Sequence, residues 1–408
     1  MGFIKNWLFP NLKFLARRVT RILIVITLLW AVISILKIPW INAFRVRGSR
    51  LIANEERKDI LHRRAYLIHR YFAGTLDPRN MPPIIGEFFQ GEWALGTCSM
   101  TAAALVNIAF IYPETRQESL SVLDGLARLV LTERFREFDT SAWKEDALSS
   151  LDGPNGHIAY LGHVNLILLS RRYLGGSDEF DPLIINISNA FIRRIAERPF
   201  PYLETYPGQI YTSDNMVVYA TIKLFDRILQ HDHGETFSRW ADFTKRELLD
   251  PNTGLVTFWV GGKGNRLGIS RGSGVGWNSF YLPFFDQEFA SSQYAKAVKE
   301  LGANFPFGLK GFRECARNVS GVWDIDSGPV IFGVSAAGTG FIIAGARLTG
   351  DAEFLDGLLL TSEYFGSTID INGRRRYLLS PLVGDAIVLA MKTATPWDSR
   401  FKLGKASR

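Results

Sequence analysis

Cysteine is scarce in this chain: only two, Cys98 and Cys315, occur in 408 residues. Two cysteines cannot build a disulfide framework, and the chain has no Cys-x-x-Cys pair of the kind that binds zinc. His-Glu-x-x-His is absent and no histidine follows His233, so neither a zinc protease nor a serine hydrolase with its histidine after the serine fits the sequence. We therefore expect no metal site, and whether the two cysteines are paired or free stays open.

Acidic residues are absent from the first 50 positions, which hold nine Lys and Arg side chains. The formal net charge of the chain is +7, and this segment supplies all of it, because the rest carries 38 basic and 40 acidic residues. A nucleic-acid-binding domain would carry its basic side chains on a folded face. The charge distribution therefore argues against nucleic acid as a partner.

The basic N-terminal segment, residues 1–50, contains fifteen uncharged residues from Ile22 to Leu36. If Lys37 extends its ammonium group toward the headgroups, the apolar stretch at about residues 20–42 reaches the roughly 20 residues that a bilayer requires. We predict a single-pass anchor in the lipid bilayer, with an amphipathic surface helix as the alternative. The flanking basic residues are nearly balanced, and the short segment before the run favours an extracytoplasmic domain.

Strand-like alternation is also scarce, and helical periodicity dominates from residue 51 onward. Apolar side chains recur three and four positions apart in about twelve segments, as at Leu183, Ile184 and Ile187. No Ser- or Pro-rich linker divides the region, so we predict one all-α domain over residues 51–395 and a basic tail at 396–408. About six helical hairpins in one domain indicate an (α/α)6 toroid, with an open solenoid as the alternative.

Loops at one rim of such a ring would face its central cavity, and three acidic residues lie in candidate rim loops. Glu87 and Glu92 belong to the segment 86–97, which we predict to be a loop before a helix. Paired carboxyls can act as acid and base when burial separates their pKa values, or they can simply favour the positive end of the following helix. Asp214 is the third candidate, although Asp is also a preferred N-cap residue.

His163 and Tyr160 form a second candidate group, three positions apart at the start of an apolar helix. Imidazole is the usual proton shuttle near neutral pH, while a lone histidine there is commonly a packing residue. Asp326 alternates with Asp324 but lacks the complete oxygen-ligand loop of a calcium site. We expect Asp326 to bind substrate together with these neighbours in the candidate loops: Phe88, Trp93, Thr205, Tyr206 and Trp277.

Four segments resemble the linalool dehydratase/isomerase family. They are HIAYLGHVNLIL from His157, RPFPYLETYPGQIYTSDNMVVYATIKLFDRI from Arg198, LLDPNTGLVTF from Leu248 and GTGFIIAGARLTGDAEFLDGLL from Gly338. The similarity is in consistent order across roughly residues 85–395. It implies an (α/α)6 toroid, a ring-like homo-oligomer, and cofactor-independent acid–base chemistry that dehydrates and isomerises an acyclic monoterpene alcohol in an apolar central pocket.

The resemblance also implies roles for individual residues. The family's histidine in a Gly-His-x-Asn-Leu setting matches His163, its nearby tyrosine matches Tyr160, and Glu87 or Glu92 stands near its early acidic residue. The family uses two cysteines whose counterparts we would seek on the loop 204–215, where this chain has none. Thr205 and Asp214 are the candidates there, and a carboxylate demands partners or water that a thiol does not.

Three functions remain open at this point. The first is a membrane-anchored lyase or isomerase that acts on a small hydrophobic alcohol without a cofactor. The second is a glycoside hydrolase or lyase with paired carboxylates, acting on an extracytoplasmic glycan. The third is a non-catalytic toroid that binds a partner. The sequence does not decide which carboxyl would be the acid and which the base, because pKa values depend on burial.

Overall fold

The computed structural model describes residues 19–32, 54–317, 319 and 324–397. The described residues are 66% helical, as the periodicity predicts, which places the protein in the all-α class. The described residues form α1 (Val19–Val32), α2 (Asn54–Phe72), α3 (Glu87–Ile111), α4 (Arg116–Val130), α5 (Glu133–Trp143), α6 (Ile158–Tyr173), α7 (Asp181–Glu197), α8 (Thr212–Leu229), α9 (Gly234–Glu247), α10 (Gly272–Tyr281), α11 (Gln287–Leu301), α12 (Ala336–Thr349), α13 (Ala352–Gly366) and α14 (Leu382–Lys392).

Short antiparallel strands lie in the connections between these helices. They are β1 (Ile210–Tyr211), β2 (Trp259–Val260), β3 (Arg266–Leu267), β4 (Gly302–Asn304), β5 (Lys310–Phe312), β6 (Val330–Ile331), β7 (Val334–Ser335), β8 (Thr368–Ile371) and β9 (Arg374–Tyr377). Strands β1, β2 and β3 form one sheet in that order, with Tyr211 opposite Trp259 and Trp259 opposite Leu267. The others pair as hairpins: β4 with β5, β6 with β7, and β8 with β9.

Six helices contact one another in cyclic order. Helix α3 packs on α6, α6 on α8, α8 on α10, α10 on α12, α12 on α14, and α14 on α3. The connections that lead into these six helices are long, and those that leave them are short. Helix α3 is apolar on all sides because it is buried on all sides from Ala94 to Ala109, with few exceptions.

Amphipathic helices cover the outside of this set. Helix α4 contacts α3 and α6, α7 contacts α6 and α8, α11 contacts α10 and α12, and α2 contacts α14 and α3. Each turns its apolar stripe inward, and buried apolar side chains from α2 to α14 form one continuous cluster. Side-chain caps fix where α11, α12 and α13 begin, because Asp286, Ser335 and Asp351 accept backbone N–H groups three residues ahead.

The start of α3 differs from the prediction. The sequence predicts a loop over 86–97 because of its glycines, whereas the helix begins at Glu87. Gly91 lies inside this helix, facing Phe138 of α5. A methyl group at Gly91 would lie 2.8 Å from the Phe138 side chain, so the lack of a side chain there permits α5 to pack closely on α3. The prediction misread a packing glycine as a turn glycine.

Among the residues that the structure describes, the helix that is long and apolar enough to cross a membrane is α3 with its preceding turn, Pro83–Ile111, and 83% of its most apolar stretch is buried inside the protein. In the predicted anchor at about residues 20–42, the described part is α1, a shorter apolar helix. Its side chains are exposed from Val19 to Leu29. The remainder of the predicted anchor, and most of the basic segments 1–50 and 396–408, lie outside the described residues.

A buried ion cluster fixes α2 against the end of the chain. Asp59 of α2 accepts from Arg63 at 3.0 Å and from Lys392 of α14, and it forms an ion pair with Arg375, whose Nε lies 2.6 Å from Asp59 Oδ1. Arg63 also bonds Glu363 of α13. Because three helices and β9 share these charges, the cluster sets the position of α2 on α13 and α14.

Gly272, at the start of α10, lies against the segment that follows β5. Its N–H donates to Glu314 O at 2.8 Å, and a methyl group at Gly272 would lie 1.9 Å from Arg313 O. We expect Gly272→Ala to lower the free energy of unfolding by about 1–3 kcal/mol, the usual cost of overpacking. Thermal unfolding checks this, with Gly262→Ala as the control, because nothing lies within 4 Å of a methyl group there. Equal stability of the two variants would contradict the close approach.

Candidate active site

The predicted functional residues that the structure brings together lie at the N-terminal ends of the cyclically packed helices. Glu92 is in the second turn of α3, Asp214 in the first turn of α8, and His163 and Trp277 in the second turns of α6 and α10. Asp326 lies in the connection between β5 and β6. We call Glu92, Asp214 and Asp326 the acidic cluster.

Glu92 is half-buried and hydrogen-bonded to a tyrosine. Tyr206 donates its hydroxyl to Glu92 Oε1 at 3.0 Å, and the Tyr206 ring packs on Phe88 with centroids 5.1 Å apart. Burial raises the pKa of the Glu92 carboxyl to about 8, and the charges of Asp326 and Asp214 add to the rise. Glu92 is therefore mostly protonated at pH 7 and can donate a proton.

Asp214 does not cap its helix: α8 begins at Thr212 after Tyr211, with no side-chain cap. Its carboxyl instead accepts a hydrogen bond of 2.9 Å from Thr205 Oγ1, which itself accepts from Tyr211 N at 3.3 Å. Burial raises the pKa of Asp214 to about 7, and the Thr205 hydrogen bond opposes the rise. Of the two interpretations offered by the sequence, the inward-facing carboxyl fits the geometry.

Asp326 is the exposed member of the acidic cluster, held on a short turn. Asp324 Oδ1 accepts from the backbone N–H groups of Asp326 at 3.1 Å and Ser327 at 3.2 Å. Arg271 fixes that turn by donating to Asp324 Oδ1 at 2.7 Å and to Glu314 Oε1 at 2.7 Å. The surrounding protein and the neighbouring Asp324 charge raise the pKa of Asp326 to about 6.

The three carboxyls of the acidic cluster act on one another electrostatically. Asp326 and Asp214 both raise the pKa of Glu92, and Asp326 raises that of Asp214. Their protons therefore leave in coupled steps between about pH 6 and pH 8. A proton donor and a proton acceptor are present together near neutral pH, which is what general acid–base catalysis requires.

His163 is neutral at pH 7, because burial lowers its pKa to about 4. Its Nδ1 lies 2.9 Å from Ser99 Oγ, and its ring meets Trp277 edge to face at 5.9 Å. Trp277 in turn contacts Tyr281 at 5.2 Å, and the pKa of Tyr281 is raised by burial and by the charge of Asp214. Ring contacts thus join His163 to Tyr281, whose hydroxyl is influenced by the charge of Asp214.

Three predicted site residues lie apart from this arrangement. Glu87 is exposed at the first turn of α3, away from the coupled carboxyls. Tyr160 is fully buried and donates to Val130 O at 2.8 Å, so it is a core residue. Trp93 is half-buried against the hydrophobic core. The catalytic roles expected of Tyr160 and Glu87 stay predictions, with Tyr160 placed in the core and Glu87 at the surface.

The sequence analysis missed Ser99, Tyr281 and Arg271. Ser99 lies seven positions after Glu92, two turns along the same helix face, and that spacing could have identified it. The Tyr281 hydroxyl and Trp277 Nε1 are buried and have no hydrogen-bond partner within the described part of the chain. Buried polar atoms without partners are rare, and these two are available to a bound molecule.

Cys98 and Cys315 are both free, and Cys98 is buried. Over residues 19–32, 54–317, 319 and 324–397, no group of three His, Cys, Asp or Glu side chains is arranged to hold a metal ion. A scan against models of known protein families finds no match.

Tyr206→Phe tests the hydrogen bond that lowers the pKa of Glu92. The Tyr206 hydroxyl donates to the carboxylate form of Glu92 and so lowers its pKa, against the larger effect of burial. Removal of the hydroxyl is expected to move the titration of Glu92 above pH 8. Infrared titration of the carboxyl band, with Tyr211→Phe as the control, measures the shift. A downward shift in the Tyr206 variant would overturn this assignment of the hydrogen bond.

Proposed function

We propose that this chain is a membrane-anchored, cofactor-independent lyase/isomerase that acts on a small, largely apolar alcohol. The observation that carries the proposal is the acidic cluster, whose carboxyls have pKa values of about 8, 7 and 6 within one group of coupled side chains. Removal of a hydroxyl as water needs an acid for the oxygen and a base for the neighbouring carbon, and these values supply both near neutral pH.

The site would belong to an (α/α)6 toroid. In support, six helices contact one another in cyclic order and five further helices cover them: α2, α4, α7, α11 and α13. The long connections enter the six inner helices at the ends where Glu92, Asp214 and His163 lie. In a toroid these ends would form one rim around a central cavity.

Glu92 would act first, as the general acid. Its proton passes to the substrate hydroxyl, the C–O bond breaks, and the electron pair leaves with water. Asp214 then removes a proton from the adjacent carbon, and the C–H electrons form the new double bond. In the isomerisation, water instead adds to the cation at a different carbon before that proton is removed, and the oxygen returns its extra proton to the Glu92 carboxylate.

The aromatic side chains would stabilise the positive charge that develops on carbon. Tyr206 bonds Glu92 and packs on Phe88, Trp277 packs against His163, and an aromatic face attracts a cation by about 0.5–2 kcal/mol. His163, held by Ser99, is neutral and can orient the hydroxyl without competing for its proton. Thr205 fixes Asp214 where the resembling family has a thiol, so the carboxyl has the partner that it requires.

Linalool is the first substrate to test, in detergent or lipid vesicles, with products separated by gas chromatography. We expect turnover to rise as Asp214 ionises near pH 7 and to fall as Glu92 loses its proton near pH 8, which gives a narrow bell-shaped profile. Asp214→Asn would remove the rising limb together with most of the activity. Turnover that continues to rise above pH 9 would contradict Glu92 as the acid.

One observation favours glycoside hydrolysis as a second candidate. Asp326 is exposed, so the acidic cluster is open to water on that side, and two carboxyls around a glycosidic bond are the usual machinery. Release of nitrophenol from a panel of aryl glycosides, lost in both Asp214→Asn and Asp326→Asn, would favour this reaction over dehydration. A non-catalytic toroid predicts no turnover of either substrate class and a phenotype that survives substitution of both Asp214 and His163.

The surroundings of the enzyme follow from the same proposal. The apolar helix α1 would lie within the membrane anchor, with the helical domain outside the cytoplasm. The bilayer and a small alcohol or glycan are the proposed partners, and the resemblance adds a homo-oligomer. Access of a protease to the helical domain in intact cells, before and after permeabilisation, tests the side of the membrane.

A further inference from the structure

Helix α10 carries two buried hydrogen-bond donors that the described part of the protein leaves unpaired. Trp277 and Tyr281 are four positions apart, so they lie on the same face of α10, and their ring centroids are 5.2 Å apart. Trp277 Nε1 and the Tyr281 hydroxyl are both buried, and neither has a hydrogen-bond partner among the residues that the structure describes. The Tyr281 side chain is completely buried. Buried donors are rarely left unpaired, which points to an acceptor on a bound molecule.

This face of α10 is directed to the interior of the six cyclically packed helices. The Trp277 ring meets His163 of α6 at 5.9 Å, although α8 separates α6 from α10 in the cyclic order. A contact between helices that are not neighbours in the cycle crosses its interior. Trp277 also meets Phe341 of α12 at 4.9 Å. The two donors therefore lie where side chains from α6, α10 and α12 converge.

The two donors are separated from the Glu92 carboxyl along the helices. His163 is held by Ser99, seven positions beyond Glu92 in α3, which corresponds to about 10 Å along the helix axis. Trp277 meets His163 at that level, and Tyr281 is one turn further along α10. An oxygen atom bound by these donors would therefore be a different atom from the oxygen that Glu92 protonates.

The chemistry of the two donors favours a neutral oxygen. An indole N–H group only donates, and a phenol hydroxyl donates while it stays protonated. Burial and the charge of Asp214 keep the pKa of Tyr281 well above its usual range, so Tyr281 remains a donor at neutral pH. The negative charge of ionised Asp214 would repel a carboxylate or a phosphate group. The acceptor that fits is a hydroxyl, ether or carbonyl oxygen.

We propose that Tyr281 Oη and Trp277 Nε1 bind a second, neutral oxygen of the substrate, several carbons away from the hydroxyl that leaves. The inference rests on the proposed function and deepens it, because it assigns the substrate to extended alcohols with an oxygen at each end of an apolar chain. Asp214 acts electrostatically on both Glu92 and Tyr281, so the proposed base is near both ends of such a chain. Binding of both oxygens would hold the carbon that loses its proton beside Asp214.

A matched pair of variants separates a ligand-binding hydroxyl from a structural one. Tyr281→Phe removes a hydroxyl that has no partner in the described part of the chain, so thermal stability should be unchanged or higher. Tyr294→Phe is the control, because Tyr294 is a buried tyrosine of α11 whose hydroxyl donates to Asp351 Oδ2 at 2.9 Å. The control should have a lower melting temperature. An equal or larger decrease in Tyr281→Phe would overturn the proposal, since the hydroxyl would then serve the fold.

Calorimetric titration of the full-length protein in detergent compares linalool with hydroxylinalool, which carries a second hydroxyl at the far end of the same chain. We expect the wild type to bind hydroxylinalool about 3- to 10-fold more tightly, the usual contribution of one or two hydrogen bonds. Tyr281→Phe should remove most of this preference and leave the affinity for linalool within about twofold of the wild type. Tyr294→Phe should keep both affinities.

The possible failures of this inference and of the proposed function are distinguishable. Equal affinity of the wild type for the two alcohols would overturn the second-oxygen site, and so would an equal loss of both affinities in Tyr281→Phe, because the phenol would then contact the hydroxyl that the two alcohols share. Binding that depends on Tyr281, without turnover of either alcohol, would overturn the acid–base chemistry and leave the second-oxygen site in place. Absence of binding of both alcohols would overturn both proposals.

Discussion

Replacement of Glu92 with glutamine is expected to lower the turnover of linalool by about 10²- to 10⁴-fold, the range over which a general acid contributes. Glutamine keeps the size of the side chain and can still accept the hydrogen bond from Tyr206, so the local structure should persist. What is lost is the proton that the carboxyl holds at pH 7, because its pKa is about 8.

Glu87→Gln is the matched control for this experiment. Glu87 is on the same helix, one turn earlier, but it is exposed and lies apart from the acidic cluster. Its removal should leave turnover unchanged within the error of the assay. Equal losses in the two variants would mean that the charge of the helix end matters rather than a proton donor at Glu92.

Removal of Arg63 is expected to cause a large loss of stability. Arg63 is almost fully buried, bonds both Asp59 and Glu363, and lies 4.0 Å from the centre of the Tyr377 ring. Arg63→Met would leave two buried carboxylates short of positive charge. Such unpairing costs about 3–5 kcal/mol in the free energy of unfolding.

Arg57→Met is the control for Arg63→Met. Arg57 pairs with Glu114, but both side chains are about half exposed, at 49% and 53%. An exposed pair contributes about 0–1 kcal/mol. Thermal unfolding of the full-length variants in the same detergent compares their stability. Similar losses of stability in the two variants would show that the buried cluster stabilises the fold no more than an exposed ion pair does.

The two variants are well matched, because Arg57 and Arg63 belong to the same helix, with Arg57 six positions before Arg63. Both variants exchange arginine for methionine, so they remove the same charge and keep a similar apolar stem. The difference between them therefore isolates burial of the ion pair from the loss of an arginine in α2.

The helical class could be predicted from the sequence, because apolar spacing reports which face of a helix is buried. The start of α3 could not, since Gly91 looks like a turn residue until Phe138 is known to pack against it. The position of α2 is also invisible in the sequence, because Asp59 and Lys392 are more than three hundred positions apart.

The acidic residues of the candidate site were identifiable as a set, but their individual roles were not. Glu87 and Glu92 look equivalent in the sequence, and they are separated by the burial of Glu92, its hydrogen bond from Tyr206 and the nearby charges of Asp326 and Asp214. Tyr160 has the spacing of a partner for His163, yet its hydroxyl turns to Val130 O in the core. Side-chain direction depends on tertiary packing, which local spacing does not encode.

The electrostatic effect of Asp326 on the other carboxyls could not be predicted from the sequence either. The sequence offers Asp326 as a substrate-binding residue, whereas its effect on Glu92 and Asp214 depends on a turn that Asp324 and Arg271 hold. Arg271 stands far from Asp324 in the chain and has no motif of its own. Long-range positioning of this kind becomes visible only when the contacts of the folded chain are known.

Titration of Glu92 in the full-length protein is the most direct test of its role as the general acid. Infrared difference spectra between the wild type and Glu92→Gln isolate the band of this one carboxyl as the pH is varied. We expect a midpoint near pH 8, with the carboxyl protonated at pH 7 and able to donate its proton. A midpoint near 4.5, the ordinary value for glutamate, would leave Glu92 ionised at pH 7 and contradict its role as the acid.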